Sequence, residues 1–291
     1  SLHNPIFLLQ PSVLLKMICL RKHNIYLTTK CLQHLERIDQ LGRKIHHTKH
    51  IHRIVSLVPS MTKTIYDLGQ GKKVVGITRF CPTCPEKSTE QQIIGGTKDI
   101  DIKNIKKLKP DIIFANKEEN LRKVVEKLAK WCPVWVSDVS TIDDSVHMIH
   151  EMGKILNCCR ISQELVNCIV QKFYQVHRSP QRERKKCLYF VWKHPYMTIG
   201  GDTYIHSCLE WLGYKNIFGC EERYPKIQRE KLLCLDPDVV FLPSEPYHFQ
   251  DSDRFEIQKI FPGATVLLVE GKYFTWYGSL MAESAQYFEE T

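Results

Sequence analysis

No stretch of this 291-residue chain holds the roughly 18 consecutive apolar residues that a membrane-crossing helix needs. The nearest run, Pro5 to Leu20, contains two prolines and Lys16, and it lacks the basic start and small-residue cleavage site of a secretory signal. Export is therefore not expected from these residues, and Met17 could serve as the start of translation. There is no Gly-rich phosphate loop and no Gly-x-Ser-x-Gly elbow, and no pair of carboxylates stands out at catalytic spacing. Those absences remove the readiest hydrolase and nucleotide-binding readings. Gly-rich linkers and low-complexity tracts are missing too, so no flexible joint is expected between the parts of the chain.

The composition is that of an ordinary globular protein, with 43% hydrophobic and 25% charged residues. Its net charge of +9 is uneven. Nine Lys and Arg before Ile54 face only Glu36 and Asp39, so the remaining body carries about +2. A nucleic-acid binder would place a basic stripe on its folded body, and no nucleic-acid partner is expected. The twelve cysteines are irregularly spaced, and Cys158 and Cys159 are adjacent. That pattern differs from a secreted disulfide framework and favours free thiols in a reducing, cytoplasmic setting.

What the chain does have is a long internal repeat. LKPDIIF (Leu108 to Phe114) returns as LDPDVVF (Leu235 to Phe241), 127 residues later. In each copy Pro ends a helical pattern, Asp caps the turn, and a β-branched run reads as a buried strand. IVSLV (Ile54 to Val58) leads to Asp67-Leu68-Gly69, and CLYFV (Cys187 to Val191) leads to Trp211-Leu212-Gly213. Two similar α/β lobes facing each other across a ligand cleft are expected. The segment from Arg37 predicts a hairpin turning at Gly42. Helices are expected over Asn120–Trp131, over Ile142–Met152 with Thr141 or Ser140 as N-cap, and from Ser162 to about Arg178. The last of these is long enough to be the single stiff link between the lobes.

The strings RIVSLVPSMTKTIYDLG (Arg53 to Gly69), VVGITRFC (Val74 to Cys81), GGTKDIDIKNIKKLKPDIIFANKEEN (Gly95 to Asn120), PYMTIGGDTYI (Pro195 to Ile205), RYPKI (Arg223 to Ile227), SEPYHF (Ser244 to Phe249) and KYFTWYGS (Lys272 to Ser279) carry a resemblance. Over about residues 36–291 the chain resembles the helical-backbone substrate-binding proteins of ABC importers for vitamin B12 and iron chelates, and among them the cobalamin-binding branch. The resemblance implies an α/β fold of two lobes joined by one long rigid helix. The expected division is a basic leader at 1–35, a first lobe at 36–158, the helix at 159–182 and a second lobe at 183–291. The family is periplasmic, in tension with the weak leader and the cysteine count.

The implied function is non-catalytic binding of a corrinoid, with no catalytic cofactor, no metal, an ABC permease as partner, and a monomeric state. Phe80 stands where the family carries a ligand-stacking tyrosine, and Tyr196 and Tyr224 match aromatic positions of the second lobe. Tyr273, Phe274 and Trp276 fall in the family's last ligand loop. Flat aromatics suit the broad faces of a corrin, while Ser60, Thr97 and Asn116 suit its amide edge. Thr97 and Asn116 replace tryptophans of some B12 binders. Lys103 and Glu230 occupy the two positions at which the family docks its permease through glutamates, so the first lobe departs in charge. The alternatives on the same fold are a ferric siderophore or haem receptor, using Arg79, Arg223 and Tyr224, and a regulatory module that no longer serves transport.

Two motifs suggest other chemistry. CPTC (Cys81 to Cys84) has redox or zinc spacing, but no second ligand pair accompanies it and Pro85 follows where a redox helix would begin. His46, His47, His50 and His52 read as a solvated turn without an acidic neighbour, and His194 and Glu245 are too few for a metal receptor.

Overall fold

Gly42 turns the chain as its position predicts. Strands β1 (His34–Ile38) and β2 (Lys44–Thr48) pair antiparallel, and Gly42 adopts a left-handed φ of 76° between them. The buried Asp39 carboxylate accepts from the backbone N–H groups of Leu41 and Arg43 and from the Arg43 guanidinium. The computed structural model describes residues 34–84, 91–176 and 184–290, so the expected leader lies outside the described residues except His34 and Leu35, which belong to β1. The histidine turn does have an acidic neighbour, contrary to expectation. Glu36 on β1 pairs with Lys44 at 3.1 Å and lies 3.8 Å from His46.

The first sheet has the order β5-β4-β3-β6-β7 and is parallel throughout. Its strands are β3 (Ile54–Ser56), β4 (Val74–Ile77), β5 (Gln92–Ile93), β6 (Ile112–Asn116) and β7 (Val134–Ser137). β3, β6 and β7 are buried on both faces, as a sheet covered by crossover helices requires. Those helices are α1 (Pro59–Asp67), α2 (Ile102–Leu108), α3 (Arg122–Ala129) and α4 (Ile142–Ile155). Helix α3 is shorter than its apolar periodicity suggests, because Asn120 is drawn into loop bonds described below. Thr141 caps α4 in a reciprocal box with Asp144.

Helix α5 (Cys159–Val176) follows α4 and leads toward the second sheet, and the expected end of the linking helix, 177–182, lies outside the described residues. The second sheet runs β10-β8-β11-β12 in parallel, with β9 antiparallel on β8. Its strands are β8 (Lys186–Trp192), β9 (Met197–Thr198), β10 (Lys215–Asn216), β11 (Val239–Pro243) and β12 (Thr265–Val269). The order β4-β3-β6-β7 is thus repeated as β10-β8-β11-β12, and the repeat seen in the sequence is a repeat of sheet topology.

Helices α6 (Tyr204–Trp211), α7 (Arg229–Leu233), α8 (Asp251–Ile260), α9 (Lys272–Thr275) and α10 (Met281–Glu290) complete the second lobe. One face of its sheet, with Tyr189, Phe241 and Phe274, belongs to the same apolar core as the first lobe. The other face, with Leu188, Phe190, Val240 and Leu242, forms a separate core under α8. A second tie between the lobes was not anticipated. Gly278 N–H donates to Ser145 Oγ at 2.7 Å and Ser279 N–H to Thr64 Oγ1 at 3.0 Å. Gly278 has φ 84°, and a Cβ there would stand 2.2 Å from Thr64 Oγ1, so only glycine allows this approach.

Candidate functional site

In open parallel sheets the side chains beyond the carboxyl ends of the strands are free to meet a ligand. At that end of the first sheet, the loop after β6 is wired by Asn116. Its Oδ1 accepts from the N–H groups of Glu118 and Glu119, and its amide donates to Ser137. Asn120 accepts from Asn116 N–H and donates to the Thr97 carbonyl at 3.0 Å. These bonds fix the backbone that carries Glu118 and Glu119. Asn116 is only 2% exposed, and its bonds hold this loop.

Glu118 then reaches the opposite lobe. One carboxylate oxygen pairs with Arg223, and the other accepts from Tyr224 Oη at 3.0 Å. Arg223 is held from behind by Asp202, which accepts its N–H at 2.6 Å and lies 3.6 Å from its guanidinium. Burial first, and then the Glu118 charge, push the Tyr224 hydroxyl well above its ordinary range, so it stays a donor.

Glu245 comes from the second lobe, two residues beyond β11, as Glu118 stands two residues beyond β6. It accepts from Thr275 Oγ1 at 2.8 Å and from Trp276 Nε1 at 3.1 Å. Glu119, open to solvent on one side, has its carboxyl pushed up by partial desolvation. Lys98 opposes that shift, while Glu118 and Glu245 add to it. Carboxylates of both lobes therefore feel one another's charge.

The aromatic residues divide into two groups. Phe80 follows β4 and is 59% exposed, beside the Arg79–Asp99 ion pair of 2.7 Å. Trp276 and Tyr224 are half-buried at the carboxyl ends of the second sheet, and Tyr273 stacks on Tyr287 at 4.5 Å. Phe274, by contrast, is 1% exposed among Tyr189, Phe241 and Phe288, so it serves the core instead of the cleft. Tyr196 packs on Phe190 under α8 and donates to Glu256, on the sheet face away from the shared core. Ser60 and Thr97 are buried; Tyr277 Oη lies beside the Ser60 and Ser137 hydroxyls without a hydrogen bond, and the Thr97 carbonyl is taken by Asn120.

Sequence reasoning overlooked Glu118 and Glu119. A signal was available: the repeat that aligns Phe114 with Phe241 also aligns Glu118 with Glu245. Among the described residues no three His, Cys, Asp or Glu side chains gather to hold a metal ion. Cys81 is buried with its thiol pushed up by desolvation, although Thr62 and Thr78 lie 3.1 Å away and pull it down. That is the environment of an unreactive thiol.

Two α/β lobes with repeated sheet topology, meeting through loops at their strand ends, define a two-lobed binding protein. The chain belongs to the periplasmic binding protein family, whose model matches residues 54–264. It is 22% identical over 200 residues to the vitamin B12-binding protein of Vibrio parahaemolyticus serotype O3:K6, covering 66% of this chain and 70% of the relative. The fold matches the periplasmic vitamin B12 binding protein of Vibrio cholerae with a TM-score of 0.69 at 20% identity, covering 82% of this chain and 96% of that one. It matches the periplasmic heme binding protein of the same organism with a TM-score of 0.70 at 18% identity, covering 82% and 97%.

Proposed function

We propose that this protein is a non-catalytic receptor that holds a corrinoid between its lobes for uptake or salvage. The observation that carries this reading is the carboxylate lining. Glu119 of the first lobe and Glu245 of the second feel one another's charge, Trp276 donates to Glu245, and Tyr224 reaches across to Glu118. A corrinoid offers broad apolar faces to flat side chains and an edge of amide N–H groups to carboxylate acceptors. Haem carries two carboxylates and no amides, so it leaves Glu119 and Glu245 without donors. The vitamin B12-binding names of the curated relatives support the same ligand class. On this reading the exposed Lys103 of α2 and Glu230 of α7, on the helices before the equivalent strands β6 and β11, face an importer permease.

Isothermal titration with cyanocobalamin, cobinamide, haem and ferrichrome tests the reading. Cyanocobalamin should bind with a dissociation constant of about 1 μM or tighter, on the order of −8 kcal/mol. Binding of haem or ferrichrome with no heat from either corrinoid would replace it with the iron-chelate alternative.

A further inference from the structure

We propose that Arg223 and Tyr224, which here hold Glu118, form an anion subsite that the single phosphodiester of a nucleotide-bearing corrinoid takes over on binding. This rests on the corrinoid reading and narrows it to the complete, nucleotide-bearing class.

Glu118 engages the pair as a ligand oxyanion would. Each of its two oxygens meets one donor, the guanidinium on one side and the phenol on the other. The donors are built in advance. Asp202 binds both the N–H and the guanidinium of Arg223, Gly200 N–H donates to the Arg223 carbonyl at 2.7 Å, and the guanidinium lies 5.7 Å from the Tyr224 ring centroid. The backbone of Arg223 is held at φ 58°, a conformation rare outside glycine, which aims the side chain across the cleft. Glu118 is the half that a ligand anion can replace. Its loop is pinned through Asn116, while its carboxylate ends a flexible side chain that is 28% exposed.

The contact bridges the space a ligand between the lobes must enter. Entry therefore separates Glu118 from Arg223 and Tyr224, and it leaves the half-buried Tyr224 hydroxyl without its acceptor, which is costly. A ligand with one oxyanion at that place restores both bonds. Glu119 and Glu245 remain to accept from amides, so the lining suits a molecule with many amide donors and one anionic group. A nucleotide-bearing corrinoid has that inventory. Cobinamide lacks the phosphodiester, and haem has two carboxylates and no amides.

The test is titration of the wild type, Glu118→Gln, Arg223→Ala and Tyr224→Phe with cyanocobalamin, cobinamide and haem, with circular dichroism to check each fold. Wild type should bind cyanocobalamin about tenfold or more tighter than cobinamide. Arg223→Ala should weaken cyanocobalamin about tenfold or more and cobinamide less than about twofold, with Tyr224→Phe showing the same selectivity to a smaller degree. Glu118→Gln should tighten cyanocobalamin by about threefold or more, since the internal competitor loses its charge. Equal losses for both corrinoids, or no loss for either, would overturn the subsite while leaving corrinoid binding intact. Binding of haem alone would end the corrinoid reading, and its dependence on Arg223 would then keep the subsite with a propionate as the anion, whereas independence would overturn it. If none of the three ligands binds, both proposals fall.

Discussion

Asp111 and Asp238 make the same bond in the two halves of the chain. Each stands after the proline of its repeat and accepts from the backbone at the start of the neighbouring strand. Asp111 takes the N–H groups of His52 and Arg53 at 2.7 and 2.8 Å, and Asp238 takes that of Lys186 at 2.6 Å. Each also donates its own N–H to the carbonyl of Arg53 or Lys186. The aspartate therefore ties two strands together, a wider role than capping its own turn.

Replacing Asp111 with Ala should lower unfolding free energy by about 1–2 kcal/mol, since charge-assisted bonds to two N–H groups are lost at an exposed strand start. Asp238→Ala should cost a similar or smaller amount. Urea denaturation followed by circular dichroism measures both. A loss below about 0.3 kcal/mol at Asp111 would mean that water replaces the carboxylate without penalty.

Much of this architecture was readable in advance, for a physical reason. A strand buried on both faces must be a short apolar run, and a helix that covers it must end sharply, so LKPDIIF and LDPDVVF announce their lobes. The site was less readable. Phe274 and Tyr273 are adjacent aromatics in one loop, yet Phe274 fills the core and Tyr273 stacks near the surface, a choice made by tertiary packing. Asn116 suits an amide ligand on paper, but its buried position commits it to Glu118 and Glu119 N–H groups. Glu118 matters because Arg223 lies opposite, and no local pattern encodes that pairing across 105 residues.

The second lobe contains a buried ion pair whose pH dependence can be stated. Lys193 Nζ bonds Asp253 at 2.6 Å and Glu256 at 2.8 Å, and Lys193 and Asp253 are both under a tenth exposed. Burial alone would push the Asp253 carboxyl up, but Lys193 and the Gln250 N–H outweigh it and hold the group low. Burial likewise pulls Lys193 down, and its two carboxylate partners raise it above its ordinary value. A depressed carboxyl contributes stability above its unfolded value near pH 4, and that contribution is lost as pH falls through the folded value. A raised amine contributes fully below about pH 10.4 and loses its contribution as pH rises through its folded value. Lys193→Met should therefore cost about 2–3 kcal/mol, with a flat difference between about pH 5 and 10 that narrows below about pH 4. Denaturant titrations of both proteins across pH measure the gap, and a gap that widens toward acid would contradict the assignment.

Ten of the twelve cysteines lie among the described residues, all unbonded. Cys159, Cys168, Cys220 and Cys234 are exposed, while Cys187 and Cys208 are buried with thiols pushed up to about 12 by desolvation. Brief alkylation of the native protein at neutral pH should label the exposed four well before Cys187 and Cys208. Mass spectrometry reads the order. Equal labelling of Cys208 and Cys220 would show that the second lobe opens far more readily than its packing indicates.

The last prediction concerns the permease. Lys103 and Glu230 occupy equivalent exposed positions, one on each helix that precedes β6 or β11, and they carry opposite charges. Against a permease that presents a positive group to each lobe, Glu230 attracts and Lys103 repels. Lys103→Glu should therefore strengthen docking to a B12-type permease, and Glu230→Lys should weaken it. Each reversal at an exposed rim is worth on the order of 1 kcal/mol, about fivefold in affinity. Both effects should fade in 1 M salt, where the screening length shrinks to about 3 Å. Surface plasmon resonance against permease in nanodiscs, at low and high salt, separates the outcomes. Loss of binding in Glu230→Lys with no gain in Lys103→Glu would move the first contact to Asp99 or Asp101, which stand just before α2. Asp101 is the first to substitute, because its side chain accepts from the Asn104 N–H and is thereby held at the exposed start of that helix. No response to either change would mean that neither residue takes part in docking.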